Sequence, residues 1–178
     1  MRVLAMKLRI FTLLALAPLA LARADDAVKL ADKPPTAKKA AKPSKELAVI
    51  VNPKNPVKKI TFSELRSYLK LRRQFWPNKK RCDLYLPPHK SDAYKLLLKD
   101  VYKTSHKKLQ KYWVRKLFSG DIPSKPSYVS SFRSAGAQVL KNVGALSLVP
   151  ANMVPKGARV LPIDGKKPGD KGYRLIRK

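Results

Sequence analysis

Few side chains in this 178-residue chain belong to the types that carry out catalysis or bind metals. The chain has two histidines, His89 and His106, and a single cysteine, Cys82. No two carboxylates stand three or four residues apart on a predicted helix, so paired acid–base catalysis is not expected. Cys82 follows two basic residues that could lower the pKa of its thiol, but a lone cysteine beside a strand is more often a small, partly buried side chain. This inventory predicts no enzyme, no metal site and no cofactor.

The best candidate for a binding site is the loop at residues 87–91, Pro-Pro-His-Lys-Ser, which leads into a predicted helix. The first turn of a helix has unpaired backbone N–H groups and the positive end of the helix dipole, so anions bind there. Ser91 would add a hydroxyl, Lys90 a charge and His89 a second charge when protonated, whereas Asp92 would repel an anion. We therefore predict a weak anion site at His89, Lys90 and Ser91 that strengthens as pH falls through the histidine range. A solvated loop histidine is the alternative interpretation of His89.

The formal net charge of +29 points to acidic partners or to a basic, solvated surface. Lysines are scattered along every predicted helix and loop, which favours a diffuse positive field over a designed groove. Basic residues alternate with Tyr112, Trp113 and Phe118, as in some base-stacking surfaces, but the helical spacing of these aromatics predicts core packing. No nucleic-acid recognition motif is present, so no specific nucleic-acid partner is expected.

Residues 1–24 have the pattern of a secretory signal, with a basic start, an apolar run and Ala22-Arg23-Ala24 as a cleavage site. Pro18 interrupts the apolar run, which is too short to span a bilayer, so no transmembrane anchor is expected after cleavage. Removal of this segment, which holds four of the 40 basic residues and none of the 11 acidic ones, would leave a charge of +25. Residues 25–45, rich in Lys, Ala and Pro, are predicted to be a disordered linker. We expect a periplasmic or secreted protein with one domain from residue 46 to 178.

Within that domain, strands alternate with helices, which is typical of an α/β fold with a mixed sheet flanked by helices. Leu47 to Val51 is an apolar, β-branched run expected to be a strand buried on both faces. Thr61 to Glu64 has the pattern of a capping box that starts a helix. Further strands are predicted at 83–86, 145–149, 159–163 and 173–176, and further helices at 61–70, from 91 through 102, at 105–118 and at 131–141.

Three groups of residues, taken in order, resemble the phosphate-type (type II) periplasmic solute-binding protein superfamily. They are the strand followed by Asn-Pro-x-Asn-Pro at 52–56, the Arg-rich turn and Trp at 71–77, and Asn142-Val143-Gly144-Ala145-Leu146. The resemblance covers nearly all of 46–178 and implies a single lobe of that fold in a short form. It also implies phosphate or a similar anion as ligand and a transporter as a partner.

The chain departs from the superfamily pattern at the expected anion loop. Where relatives have Ser-Gly-Thr at a helix N-terminus, this chain has Lys90-Ser91-Asp92, and the glycine-rich loop of a first lobe has no counterpart. Two hypotheses follow. The protein is a solute-binding-like module that holds phosphate or a similar anion weakly, or it is a non-catalytic basic scaffold that binds an envelope polyanion or another protein.

Overall fold

The structure is a computed structural model that describes residues 42–177. The predicted signal at 1–24 and most of the predicted linker lie outside the described residues. The strands are β1 (Leu47–Val51), β2 (Asp83–Leu86), β3 (Ser127–Tyr128), β4 (Ala145–Pro150) and β5 (Arg159–Val160). The helices are α1 (Phe62–Leu69), α2 (Asp92–Leu96, continued by a π-helix at Leu97–Tyr102), α3 (His106–Phe118) and α4 (Phe132–Lys141), with a short 3-10 turn at Ala151–Met153.

The five strands form one mixed sheet in the order β3-β2-β4-β1-β5. β1 is antiparallel to both of its neighbours, pairing Leu47 with Pro150 in β4 and Ile50 with Val160 in β5. β2 is parallel to both β3 and β4. The carboxyl ends of β2, β3 and β4 therefore lie at the same edge of the sheet.

Both faces of the sheet are covered, which explains why every residue of β1 is buried. Its odd-numbered side chains face the larger core, which contains side chains of α1, α2 and α3, including Leu65, Leu97 and Trp113. Its even-numbered side chains face a smaller core formed with Ala135 and Val139 of α4. The two-sided α/β fold predicted from the alternating elements is confirmed.

The Asn-Pro-x-Asn-Pro motif connects the end of β1 to the last turn of α4 and to the turn that follows it. The Asn52 side-chain amide donates to the backbone carbonyls of Val139 and Leu140 at 2.9 Å each, at the last turn of α4. Asn55 donates to the carbonyl of Val143 at 3.3 Å. Both asparagines are buried, so the motif is structural here.

Several predicted elements match the structure. β1, β2 and the capping box of Thr61 and Glu64 are confirmed, as is the helix that Ser105 caps. The predicted strand at 173–176 is wrong, because only an isolated bridge between Glu46 and Ile176 forms there. The strand at 159–163 is shorter than predicted, and β3 lies where a loop was expected.

Residues 42–45, the last part of the predicted linker, are hydrogen-bonded to the domain. The Ser44 amide donates to Asn152 Oδ1 at 2.9 Å, and the Ala151 amide donates to Ser44 Oγ at 2.9 Å. Arg177 N donates to the carbonyl of Lys45 at 2.8 Å.

None of the helices in the described part of the chain has the length and apolar character needed to cross a membrane.

Candidate anion-binding site

A pocket of about 230 Å³ opens at the start of α2, beside the carboxyl end of β4. Ligands of open α/β sheets bind outside the carboxyl ends of parallel strands, where this pocket lies. It is lined by Pro43, Ser44, Lys45, Leu47, Lys90, Ser91, Asp92, Ala93, Leu96, Phe132, Pro150 and Arg177. Three of these side chains are cations and one is a carboxylate, so the lining has a net positive charge.

Ser91 is the N-cap of α2, and its hydroxyl is occupied by bonds within the loop. Its Oγ accepts from the amide of Tyr94 at 3.2 Å and donates to the carbonyl of Pro88 at 2.6 Å. The backbone N–H groups of Asp92 and Ala93, the first two residues of α2, have no intrahelical acceptor, because no helical turn precedes them. Backbone N–H groups and nearby cations are therefore the donors that this pocket can offer to an anion.

Asp92, which was expected to repel an anion, is paired with two cations. Arg177 Nη1 contacts Asp92 Oδ2, and Lys95 Nζ lies 3.4 Å from Asp92 Oδ1. These contacts offset much of the carboxylate charge at the helix start. They also hold Arg177, a residue that nothing in the sequence pattern connected with this loop, at the edge of the pocket.

His89 lies outside the pocket lining and belongs to an aromatic cluster with Tyr94, His106 and Tyr128. Its ring stacks on Tyr128 with centroids 3.8 Å apart and meets the ring of His106 edge-on at 4.9 Å. Tyr94 Oη lies 2.8 Å from His106 Nδ1 and 3.3 Å from Tyr128 Oη. Burial, together with the neighbouring His106, lowers the pKa of His89. Of the three predicted site residues, Lys90 and Ser91 meet at the pocket and His89 does not.

The remaining candidates for chemistry have structural roles. Cys82 is buried, and burial raises the pKa of its thiol well above the usual range, so the basic neighbours do not activate it. Trp113 is fully buried in the larger core and Tyr112 packs against that core, as their spacing predicted. The same prediction is wrong for Phe118, which is 87% exposed because it lies at the last turn of α3, beyond the part of the helix that the core covers. Within residues 42–177, no three His, Cys, Asp or Glu side chains are grouped so that they could hold a metal ion.

No protein-family model matches this chain, and no curated protein matches it at a significant level. Solved structures do match. A phosphate ABC transporter substrate-binding protein from Clostridium perfringens, with bound phosphate, superposes with a TM-score of 0.60 at 14% identity, over 74% of this chain and 52% of that one. The fold is that of a phosphate-type periplasmic binding protein.

Two further periplasmic-binding-protein structures agree with this assignment. PstS from Borrelia burgdorferi matches with a TM-score of 0.60 at 15% identity, over 75% of this chain and 55% of that one. An ABC-type phosphate transport receptor from Vibrio cholerae matches with a TM-score of 0.56 at 16% identity, over 69% of this chain and 48% of that one. The chain spans about half the length of the solved proteins that it matches. At these identities the likeness shows the fold alone.

Proposed function

We propose that this chain is an exported, non-catalytic, solute-binding-like protein that binds phosphate or a similar small anion weakly at the start of α2. The structures with this fold include a phosphate-bound substrate-binding protein, and their names connect them with phosphate transport. An ABC-type transporter is the partner that this proposal implies.

The observation that supports the proposal is the pocket that Lys45, Lys90 and Arg177 share with the first turn of α2. A helix start and three cations favour an anion more than either feature does alone, because backbone amides give direction and side-chain charge gives attraction. The pocket lies beside the ends of the parallel strands, where ligands of α/β sheets are usually held.

The same contacts explain why binding should be weak. Ser91 Oγ is engaged with Pro88 and Tyr94, and Arg177 is engaged with Asp92. An anion therefore has to compete for Arg177 and gains little from the serine hydroxyl. The pocket is also open to water, which weakens each charged interaction.

Isothermal titration calorimetry with inorganic phosphate, at low and at high salt, tests the proposal. We expect a saturable heat with a stoichiometry of one site that persists at high salt, because short charge-assisted hydrogen bonds are screened less than a diffuse field. Broad binding that disappears with salt would instead support the basic scaffold, and no heat at either salt concentration would refute the anion site.

Three variants locate the site. Lys90→Gln should weaken phosphate binding about tenfold by removing one charge-assisted hydrogen bond. Asp92→Asn should tighten it, because it releases Arg177 and removes the competing carboxylate. Lys54→Gln is the matched control, since it removes one exposed cation that does not line the pocket. Equal affinity in all three variants would show that binding does not take place at α2.

A further inference from the structure

The outward face of α3 is basic and ends in exposed apolar side chains. Lys107, Lys111, Val114 and Phe118 follow one another at helical spacing along this face, and Arg115 lies next to them. The opposite side of the helix is fixed in the core through Leu109 and Trp113. We call the outward residues Lys107, Lys111, Val114, Arg115 and Phe118 the α3 face.

Phe118 is 87% exposed, an unusual position for a phenylalanine in a folded domain. Val114 is 40% exposed and Leu117 36% exposed, so the last turn of α3 presents an apolar tip to solvent. A second exposed aromatic, Phe75, lies on the loop before β2. Gln74 Nε2 donates to the carbonyl of Asp121 at 2.8 Å, so this loop lies against the turn that follows α3.

Charge on this face is almost entirely positive. α3 itself contains no acidic residue, and Lys107, Lys108, Lys111 and Arg115 are all exposed. Asp121, the carboxylate nearest in sequence to the apolar tip, is paired with Lys116 at 3.2 Å. Among residues 42–177, none of these four cations forms an ion pair, so an approaching anionic surface meets several positive charges along α3.

We propose that the α3 face docks this protein on an anionic phospholipid surface, with Phe118 entering the boundary between headgroups and acyl chains. An anionic lipid surface complements both the cations and the apolar tip of α3. The lipid phosphates attract the cations, and the boundary between headgroups and acyl chains accommodates the aromatic ring. A purely polar polyanion would leave the apolar tip exposed. No residue of the α3 face lines the pocket at α2.

Flotation with lipid vesicles tests the electrostatic half of the proposal on the full chain. The chain should bind vesicles of phosphatidylglycerol and phosphatidylcholine, and bind phosphatidylcholine alone much more weakly. Lys111→Gln combined with Arg115→Gln should reduce binding at least about tenfold. The matched control, Lys54→Gln combined with Lys58→Gln, removes the same charge from exposed positions elsewhere. Residues before 42 are identical in all variants, so any difference in vesicle binding between the two double variants reports the contribution of α3. An equal loss in both pairs would overturn the proposal.

The fluorescence of a Phe118→Trp variant tests the apolar half. Trp76 and Trp113 are buried, so a shift on adding vesicles reports residue 118. We expect a blue shift with anionic vesicles, and weaker flotation for Phe118→Ser, whose fold circular dichroism would verify. No shift, or unchanged flotation of Phe118→Ser, would overturn the insertion. The proposal would also fail if α3 variants lost binding to a single-stranded oligonucleotide while binding vesicles normally.

Discussion

Replacing Asn52 by alanine tests whether the Asn-Pro-x-Asn-Pro motif is structural. The Asn52 amide donates to the carbonyls of Val139 and Leu140, and its Oδ1 accepts from the amide of Lys54 at 2.9 Å. Asn52 is only 4% exposed, so water cannot easily take its place. The substitution removes all three hydrogen bonds and leaves a small cavity.

The expected loss follows from which partners can reach water. The bond to the Val139 carbonyl is buried, and loss of its donor costs about 1–3 kcal/mol. The bonds to the Leu140 carbonyl and the Lys54 amide are partly exposed, and each contributes about 0.5–1.5 kcal/mol. Because exposed groups regain water, we expect the free energy of unfolding to fall by about 2–4 kcal/mol in total.

Urea unfolding followed by circular dichroism measures this loss. Asn78→Ala is the matched control, because Asn78 is exposed and, within residues 42–177, its side chain forms one hydrogen bond, accepted by Oδ1 from the amide of Lys80. That variant should stay within about 0.5 kcal/mol of the parent protein. Asn52→Asp keeps the oxygen that accepts from the Lys54 amide, but it places a negatively charged carboxylate against the carbonyl oxygens of Val139 and Leu140. It should therefore lose at least as much stability as Asn52→Ala. If Asn52→Ala were as stable as Asn78→Ala, the link between β1 and α4 would not support the fold, and the reasoning would be refuted.

Two further predictions concern Trp113 and His89. Trp113→Ala should lower the free energy of unfolding by about 3–5 kcal/mol, measured in urea. Trp113→Phe should lose much less, because it also removes a buried indole N–H that has no hydrogen-bond partner among the described residues. Since the fold lowers the pKa of His89, the unfolded chain binds its proton more readily, and the melting temperature should fall as pH drops below about 6.5. His89→Phe keeps an aromatic ring beside Tyr128 but has no group that titrates, so its melting temperature should depend less on pH. If the melting temperature of His89→Phe fell with pH as much as that of the parent protein, His89 would not be the group responsible.

Local sequence signals predicted the elements whose causes are local. β1 is a run of apolar residues bounded by a turn, and the helix start at Thr61 depends on side chains only three residues apart. β3 was missed because Ser127 and Tyr128 have no strand periodicity and become a strand only by pairing with β2. The regular helix predicted through residue 102 widens into a π-helix from Leu97, a change that apolar spacing alone does not signal.

The sequence predicted only those residues of the candidate site that are close together in the chain. Lys90 and Ser91 are neighbours at the start of a predicted helix, so both could be predicted from the sequence. Arg177 and Lys45 come from the two ends of the described chain, and only the tertiary fold brings them to the pocket. His89 was assigned to the anion site from its position in the loop, whereas stacking on Tyr128 holds its ring elsewhere.

The pairing of β1 has a consequence for how the chain is made. Residues 47–51 leave the ribosome early, but their partners, residues 146–150 and 159–160, are synthesised near the end. Until then an apolar, β-branched segment with no strand beside it is prone to aggregate with other chains. Lys45 precedes this segment, and Pro53 and Lys54 follow it. Charges and prolines in such flanking positions oppose intermolecular strand pairing, so we expect these residues to protect the nascent chain from aggregation before β1 has its partners.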